Sequence, residues 1–170
     1  MRAAKREETI GAAPEALPGV LVLHERRLLS AGGRPTRDTI DHLVIAPSGV
    51  WVVDAKTHYG PAEVRRSGGI LTPRVERLFI NNRDQTQLIE GLNRQVAAVE
   101  RVLAAAGREV TVRGAMCFVG TTLPWVSEWI ADVPLVGRRD LVKLVQADGP
   151  LSVERRAEVA AALASWFIAA

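Results

Sequence analysis

Residues 40–56 read IDHLVIAPSGVWVVDAK, and the fold is decided here. Two β-rich runs, IDHLVIA and VWVVDAK, flank Pro47-Ser48-Gly49, a combination that favours a tight reversal and so predicts a β-hairpin. Apolar side chains fill alternate and intervening positions in both runs. Strands of that kind are covered on both faces, which places the hairpin in the middle of a mixed sheet. A four-residue connection from Ala46 to Gly49 sets Ile45 against Val50, and counting outward sets Asp41 against Asp54. Directly opposed residues share a face, with Cβ atoms about 4.5–5.5 Å apart, so two carboxylates are expected to point into one small space. Lys56 follows Asp54 by two residues and lies on the same face of the same strand.

Two buried carboxylates facing each other repel, unless a divalent cation sits between them or one of them stays protonated. Oxygen-only donors select a hard cation, Mg²⁺ or Mn²⁺, which polarises a phosphodiester and activates water. The Lys56 ammonium then orients the nucleophile or balances developing charge. Phosphodiester hydrolysis is the chemistry this pattern predicts. An isolated D-x-K spacing on an exposed strand would carry no such weight, since solvated charge pairs are common there. Embedded in VWVVDAK it is out of place without a site.

Outward from the hairpin, Val20–Leu23 reads as a strand, and a short charged helix interrupted at Pro14 comes before it. Between strand and hairpin, AGGRPTRD at 31–38 reads as a turn-rich basic loop. After Lys56 a second hairpin is expected, AEVRR with ILTPRV, joined at Ser67-Gly68-Gly69. From Asp84 to about Ala106 the apolar spacing turns helical through Leu88, Leu92, Val96, Val99 and Leu103, with Asp84 as N-cap and Gly107 as stop. A buried strand over 110–119, a shorter one over 133–136 and two helices near 139–147 and 153–168 complete the series. This order predicts an α/β fold with a central mixed sheet flanked by helices, and one domain over residues 1–170.

Composition sets the outer bounds. The chain has 170 residues, 48% hydrophobic and 24% charged, with 22 Lys+Arg against 19 Asp+Glu for a net charge of +3. No apolar run has the roughly 18–20 residues of a membrane span, and no secretory leader is evident, so a cytoplasmic protein is expected. Cys117 is the only cysteine, which rules out an internal disulfide and the paired thiolates of common zinc sites. Cys117 reads as core, and Trp125 and Trp129 as anchors of a loop. His42 points away from the Asp41 face and has no second histidine at ligand spacing, so His24, His42 and His58 read as structural. Arg34, Arg37, Arg65 and Arg66 are candidates for following a nucleic-acid backbone.

The signature IDHLVIAPSGVWVVDAK, followed by THYG, resembles the centre of the nuclease-related domain, NERD, a branch of the PD-(D/E)xK superfamily with a restriction-endonuclease-like fold. LHERRL before it, the Arg83-Asp84 helix start, GLNRQVAAV and the strand ending MCFVG are similar as well, so the resemblance spans most of residues 19–120. It implies metal ligands at Asp41 and Asp54 and at the Ala55 backbone carbonyl, a catalytic lysine at Lys56 and a helix glutamine at Gln95. Glu7 or Glu8 stands where members often have a further acidic ligand. Asn81-Asn82-Arg83-Asp84 departs from the usual Asn-Pro before the helix. The implied activity is a Mg²⁺- or Mn²⁺-dependent nuclease acting on DNA in repair or in defence against foreign DNA, as a monomer or as a homodimer that cuts both strands. The rival reading is a catalytically weak module of the same fold that binds nucleic acid or protein. Gln95 lies on the apolar stripe, three residues after Leu92, and is expected to face the carboxylates and lysine.

Overall fold

The structure, a computed structural model, describes residues 17–30, 32–124 and 128–170. Glu7, Glu8, the helix around Pro14 and Trp125 lie outside the described residues. In chain order the elements are β1 (Leu21–Leu29), β2 (Pro35–Ala46), β3 (Gly49–Ser67), β4 (Val75–Ile80), β5 (Arg83–Asp84), α1 (Thr86–Ala105), β6 (Val112–Thr122), β7 (Glu128–Ile130), β8 (Val133–Val136), α2 (Arg138–Gln146), α3 (Val153–Trp166) and β9 (Phe167–Ala169). The strands line up as β7-β8-β6-β3-β2-β1-β9, with β4 and β5 branching from β3. β3 pairs with β6, and β6 with β8, in parallel; the other pairings are antiparallel. This is an α/β architecture with a mixed central sheet flanked by helices, consistent with the restriction-endonuclease-like fold.

The central hairpin has the register expected of its turn, with Ile45 against Val50 and the pairing continuing outward to His42 and Val53. Alternation then sorts the side chains. Leu43, Ile45, Val50, Val52, Met116 and Phe118 form one apolar face, covered by Ile89, Leu92, Val99 and Leu103 of α1 and by Val159 and Leu163 of α3. On the opposite face Val44, Trp51, Val53, Ala115 and Cys117 pack against Leu141 and Val145 of α2. Gly114 of β6 permits the close seating of α1, since a Cβ there would lie 3.0 Å from Leu92 Cγ and 3.2 Å from Val96 Cγ2. Among the described residues no helix is long and apolar enough to cross a membrane.

Several local expectations are corrected. β2 begins at Pro35, so the second half of the supposed 31–38 loop is strand. β3 is one strand of 19 residues that runs on through a register shift between Thr57 and Gly60, where Gly60 has φ +100° and a Cβ would come within 2.9 Å of Asn81. Its hairpin partner is VERLFI of β4, and Ile70 and Leu71 stand fully exposed in the connecting loop. Leu78 and Ile80 bury themselves where ILTPRV would have presented Pro73 to the ladder. The residue capping α1 is Gln85, which makes no side-chain cap; Asp84 instead accepts from the Thr86 N–H at 2.9 Å, one position outside. Trp129 belongs to β7 and is 43% exposed rather than anchored in the core.

β9 is an element that three residues at the end of a helical pattern did not announce. Phe167 pairs with Leu28 of β1 and is wholly buried with Val159 and Leu163. Phe167→Ala should therefore cost about 3–5 kcal/mol in urea unfolding. Its half-exposed neighbour is the control: Trp166→Ala should cost about 1 kcal/mol or less.

Candidate active site

The β2–β3 ladder has His42–Val53 as its outermost pair. One residue further on, the two strands part: β2 stays with β1 through Thr39 and Arg27, and β3 stays with β6 through Lys56 and Phe118. Asp41 and Asp54 stand at the root of this fork. In an unbroken ladder Ala55 would lie opposite Ile40; instead the Ala55 N–H donates to Asp41 Oδ2 at 3.3 Å. A side-chain carboxylate thus takes over where backbone pairing ends, which meets the need of a buried N–H for an acceptor.

Asp54 is nearly buried, with a side chain 12% exposed, whereas Asp41 and Lys56 are 37% and 32% exposed and form the open rim. Lys56 Nζ lies 2.6 Å from Asp54 Oδ1 and 4.0 Å from Asp41 Oδ2. The shorter contact is an ion pair out of line for a hydrogen bond, so the buried Oδ1 lacks a well-aligned donor. Burial, and then the Asp41 carboxyl within hydrogen-bonding reach, push the Asp54 carboxyl up to about 6, against the lowering pull of Lys56. One ammonium does not compensate two carboxylates at this depth, and the site is short of positive charge.

That donor set fits a hard divalent cation. Among the described residues no group of three or more His, Cys, Asp or Glu side chains could hold a metal. Two carboxylates suffice for Mg²⁺, which keeps several waters and shares its remaining positions with substrate oxygens.

Gln95 is half-buried on the face of α1 turned to the sheet, and its Nε2 donates to the Thr39 carbonyl at 3.1 Å, two residues before Asp41. Its hydrogen bond goes to β2 backbone rather than to a carboxylate, so it ties the helix to one arm of the fork. The arginines divide. Arg34 and Arg37 are exposed near the β1–β2 turn. Arg65 stacks on Phe79 and bonds Glu63 and Asn82, while Arg66 is held by Glu76, Glu128 and the Trp129 carbonyl. The latter two guanidinium groups are committed to the protein's own acceptors. Sequence reasoning missed the contact between His24 and His42, whose Nδ1 atoms lie 2.9 Å apart across β1 and β2. The register of that pair was the signal, hidden by the irregularity between Arg27 and Leu29. Burial raises the Cys117 thiol to about 11, which fits an inert core residue.

The strained carboxyl has a consequence for stability. A carboxyl with a folded pKa above its unfolded value favours the fold fully only below the unfolded pKa, near 3.8, and that contribution is lost as pH rises through about 6. Ionised Asp54 therefore opposes folding at pH 8 when no cation is bound. In EDTA, Asp54→Asn should raise stability at pH 8 by about 1–3 kcal/mol. The gain should largely vanish at pH 4. Urea unfolding at the two pH values measures this, and an unchanged or lowered midpoint at pH 8 would show that Asp54 is not under strain.

A sequence model of the nuclease-related domain, NERD, matches residues 4–119. No curated protein and no solved structure matches the chain. The matched span carries both arms of the fork, the β3–β4 hairpin, α1 and most of β6. Matched over more than half of its 170 residues, the chain belongs to the nuclease-related domain family.

Proposed function

We propose that this protein is a Mg²⁺- or Mn²⁺-dependent nuclease that hydrolyses phosphodiester bonds of DNA. The observation that carries the reading is the fork itself: two carboxylates and an ammonium meet where the central ladder opens, with the inner carboxyl raised to about 6. Asp41, Asp54 and the Ala55 carbonyl would hold the cation, and Glu7 or Glu8 would add a further ligand. When bound, the cation supplies Lewis-acid polarisation of the phosphodiester and neutralises charge that builds up during displacement.

The chain's own groups divide the remaining work. Asp54, fixed in the sheet and shielded from water, holds its place rigidly; Asp41, on the rim and tied to the Ala55 N–H, sets the other wall. Lys56 reaches outward from the strand and can donate to a phosphoryl oxygen or to the attacking water, stabilising negative charge as it develops. Gln95 keeps α1 in register with β2 through Thr39. Arg34 and Arg37, exposed at the start of β2, would meet phosphates flanking the scissile one. Arg65 and Arg66, engaged with protein carboxylates, are left out of that role.

The rival reading is a catalytically weak module of the same fold that binds nucleic acid or protein. Activity separates the two. With Mg²⁺ or Mn²⁺ the protein should cut linear, nicked or single-stranded DNA, and EDTA or Asp54→Ala should abolish cutting. Lys56→Ala should still bind Mn²⁺ but cut about 100- to 1,000-fold more slowly, as for loss of one preorganised charge-stabilising group. Ca²⁺ should support binding without efficient turnover. DNA binding with no cutting under any of these metals would establish the module instead.

A further inference from the structure

A cleft of about 480 Å³ lies between α1 and β2 on the α1 face of the sheet, closed at its back by Leu28 and Phe167. Thr36, Thr39 and Ile40 form its β2 wall; Arg94, Gln95 and Arg101 form its α1 wall. Ile40 adjoins Asp41 in the chain, and the Gln95–Thr39 hydrogen bond joins the two walls of the cleft. Gly91 and Ala98, on the same helix face, have almost no side chain and leave the floor open.

Arg94 and Arg101 are seven residues apart, hence on one face of α1 and about 10 Å apart along its axis. Both are exposed, and among the described residues neither has an ion pair or a side-chain hydrogen bond. Arg65, Arg66, Arg74, Arg77, Arg108 and Arg155 are each paired with a carboxylate. Uncommitted guanidinium groups lining a cleft whose wall includes the residue before Asp41 match the charge and the planar geometry of phosphate.

We propose that this cleft seats the sugar-phosphate backbone of the substrate strand beside the scissile bond, with Arg94 and Arg101 binding phosphates that flank it. The inference rests on the nuclease reading and extends it to the path of the strand. The separation of about 10 Å lets the two arginines bind two different phosphates of one strand. Asp38 also lines the cleft. Its carboxylate repels phosphate from the β2 wall and confines the backbone to the α1 side. Arg94 and Arg101 are positioning residues; they set where the strand lies and leave the bond-breaking groups untouched.

The test is fluorescence anisotropy of the full chain with a labelled DNA oligonucleotide, single-stranded and duplex, in Ca²⁺ at 50–200 mM salt. Arg94→Ala/Arg101→Ala should weaken binding at least about 10-fold and flatten the plot of log K against log salt by about 1.4 for the single strand or about 1.8 for the duplex, the loss of two phosphate contacts. Arg94→Lys/Arg101→Lys should restore most of the slope. Arg138→Ala/Arg139→Ala, the same charge change on α2 across the sheet, should leave the slope as in wild type. Both altered positions on α1 are exposed, and an unchanged urea midpoint confirms an intact fold. A wild-type slope in Arg94→Ala/Arg101→Ala, while the wild-type protein binds and cuts DNA, overturns the cleft assignment and leaves the nuclease reading standing. A wild-type protein that neither binds nor cuts DNA overturns the nuclease reading, and the cleft assignment with it.

Discussion

The confrontation of Asp41 with Asp54 at the point where β2 and β3 separate is the constraint on which the rest of the structure turns. Two carboxylates on one face of an apolar sheet are unfavourable, and the Asp54 carboxyl, lifted to about 6 by burial and by its neighbour, carries that cost. The arrangement persists because the surrounding sheet overdetermines it. Asp54 follows Val50, Val52 and Val53, all essentially without solvent contact, and pairs with Met116 of β6, itself fully buried. β3 cannot turn Asp54 outward without exposing Val50 and Val52, which are in phase with it.

The two arms of the fork are held by different partners, and this keeps the site open. β2 is drawn away by β1, which β9 pins on its outer edge, while β3 follows β6 into the parallel half of the sheet. α1, seated closely over Gly114, spans the divergence and contacts β2 through Gln95. A rigid frame of this kind suits charge stabilisation, where groups must already be in place before charge develops. The Lys56 ammonium partly offsets the carboxylates in the absence of a cation, and its exposed rim position leaves it able to turn toward a bound phosphodiester.

Much of the fork was legible in the sequence because it depends on local rules. Pro47-Ser48-Gly49 sets the turn, and the turn sets the register from Ala46–Gly49 out to His42–Val53; the pairing stops one step short of Asp41 and Asp54, and Ile40 shares a core cluster with Leu43, so strict alternation does not carry through this stretch of β2. What local rules do not determine was missed. The partner of β3 beyond Gly60 is chosen by which segment buries Leu78 and Ile80, and that choice also brings Glu76 of β4 to Arg66. The capture of β9 and the His24–His42 contact likewise arise from tertiary pairing with β1. Gln95 was read correctly as turned toward the sheet, but its partner is the Thr39 carbonyl, a backbone group that side-chain patterning does not reveal.

The central claim is that the charge deficit at the fork is a cation site. Crystals of the protein soaked in Mn²⁺, with anomalous scattering recorded at the manganese edge, measure it most directly. The account predicts a peak ligated by both Asp41 and Asp54, with the Lys56 ammonium drawn off Asp54 Oδ1. An empty fork at saturating Mn²⁺, with Lys56 still paired to Asp54, would contradict it.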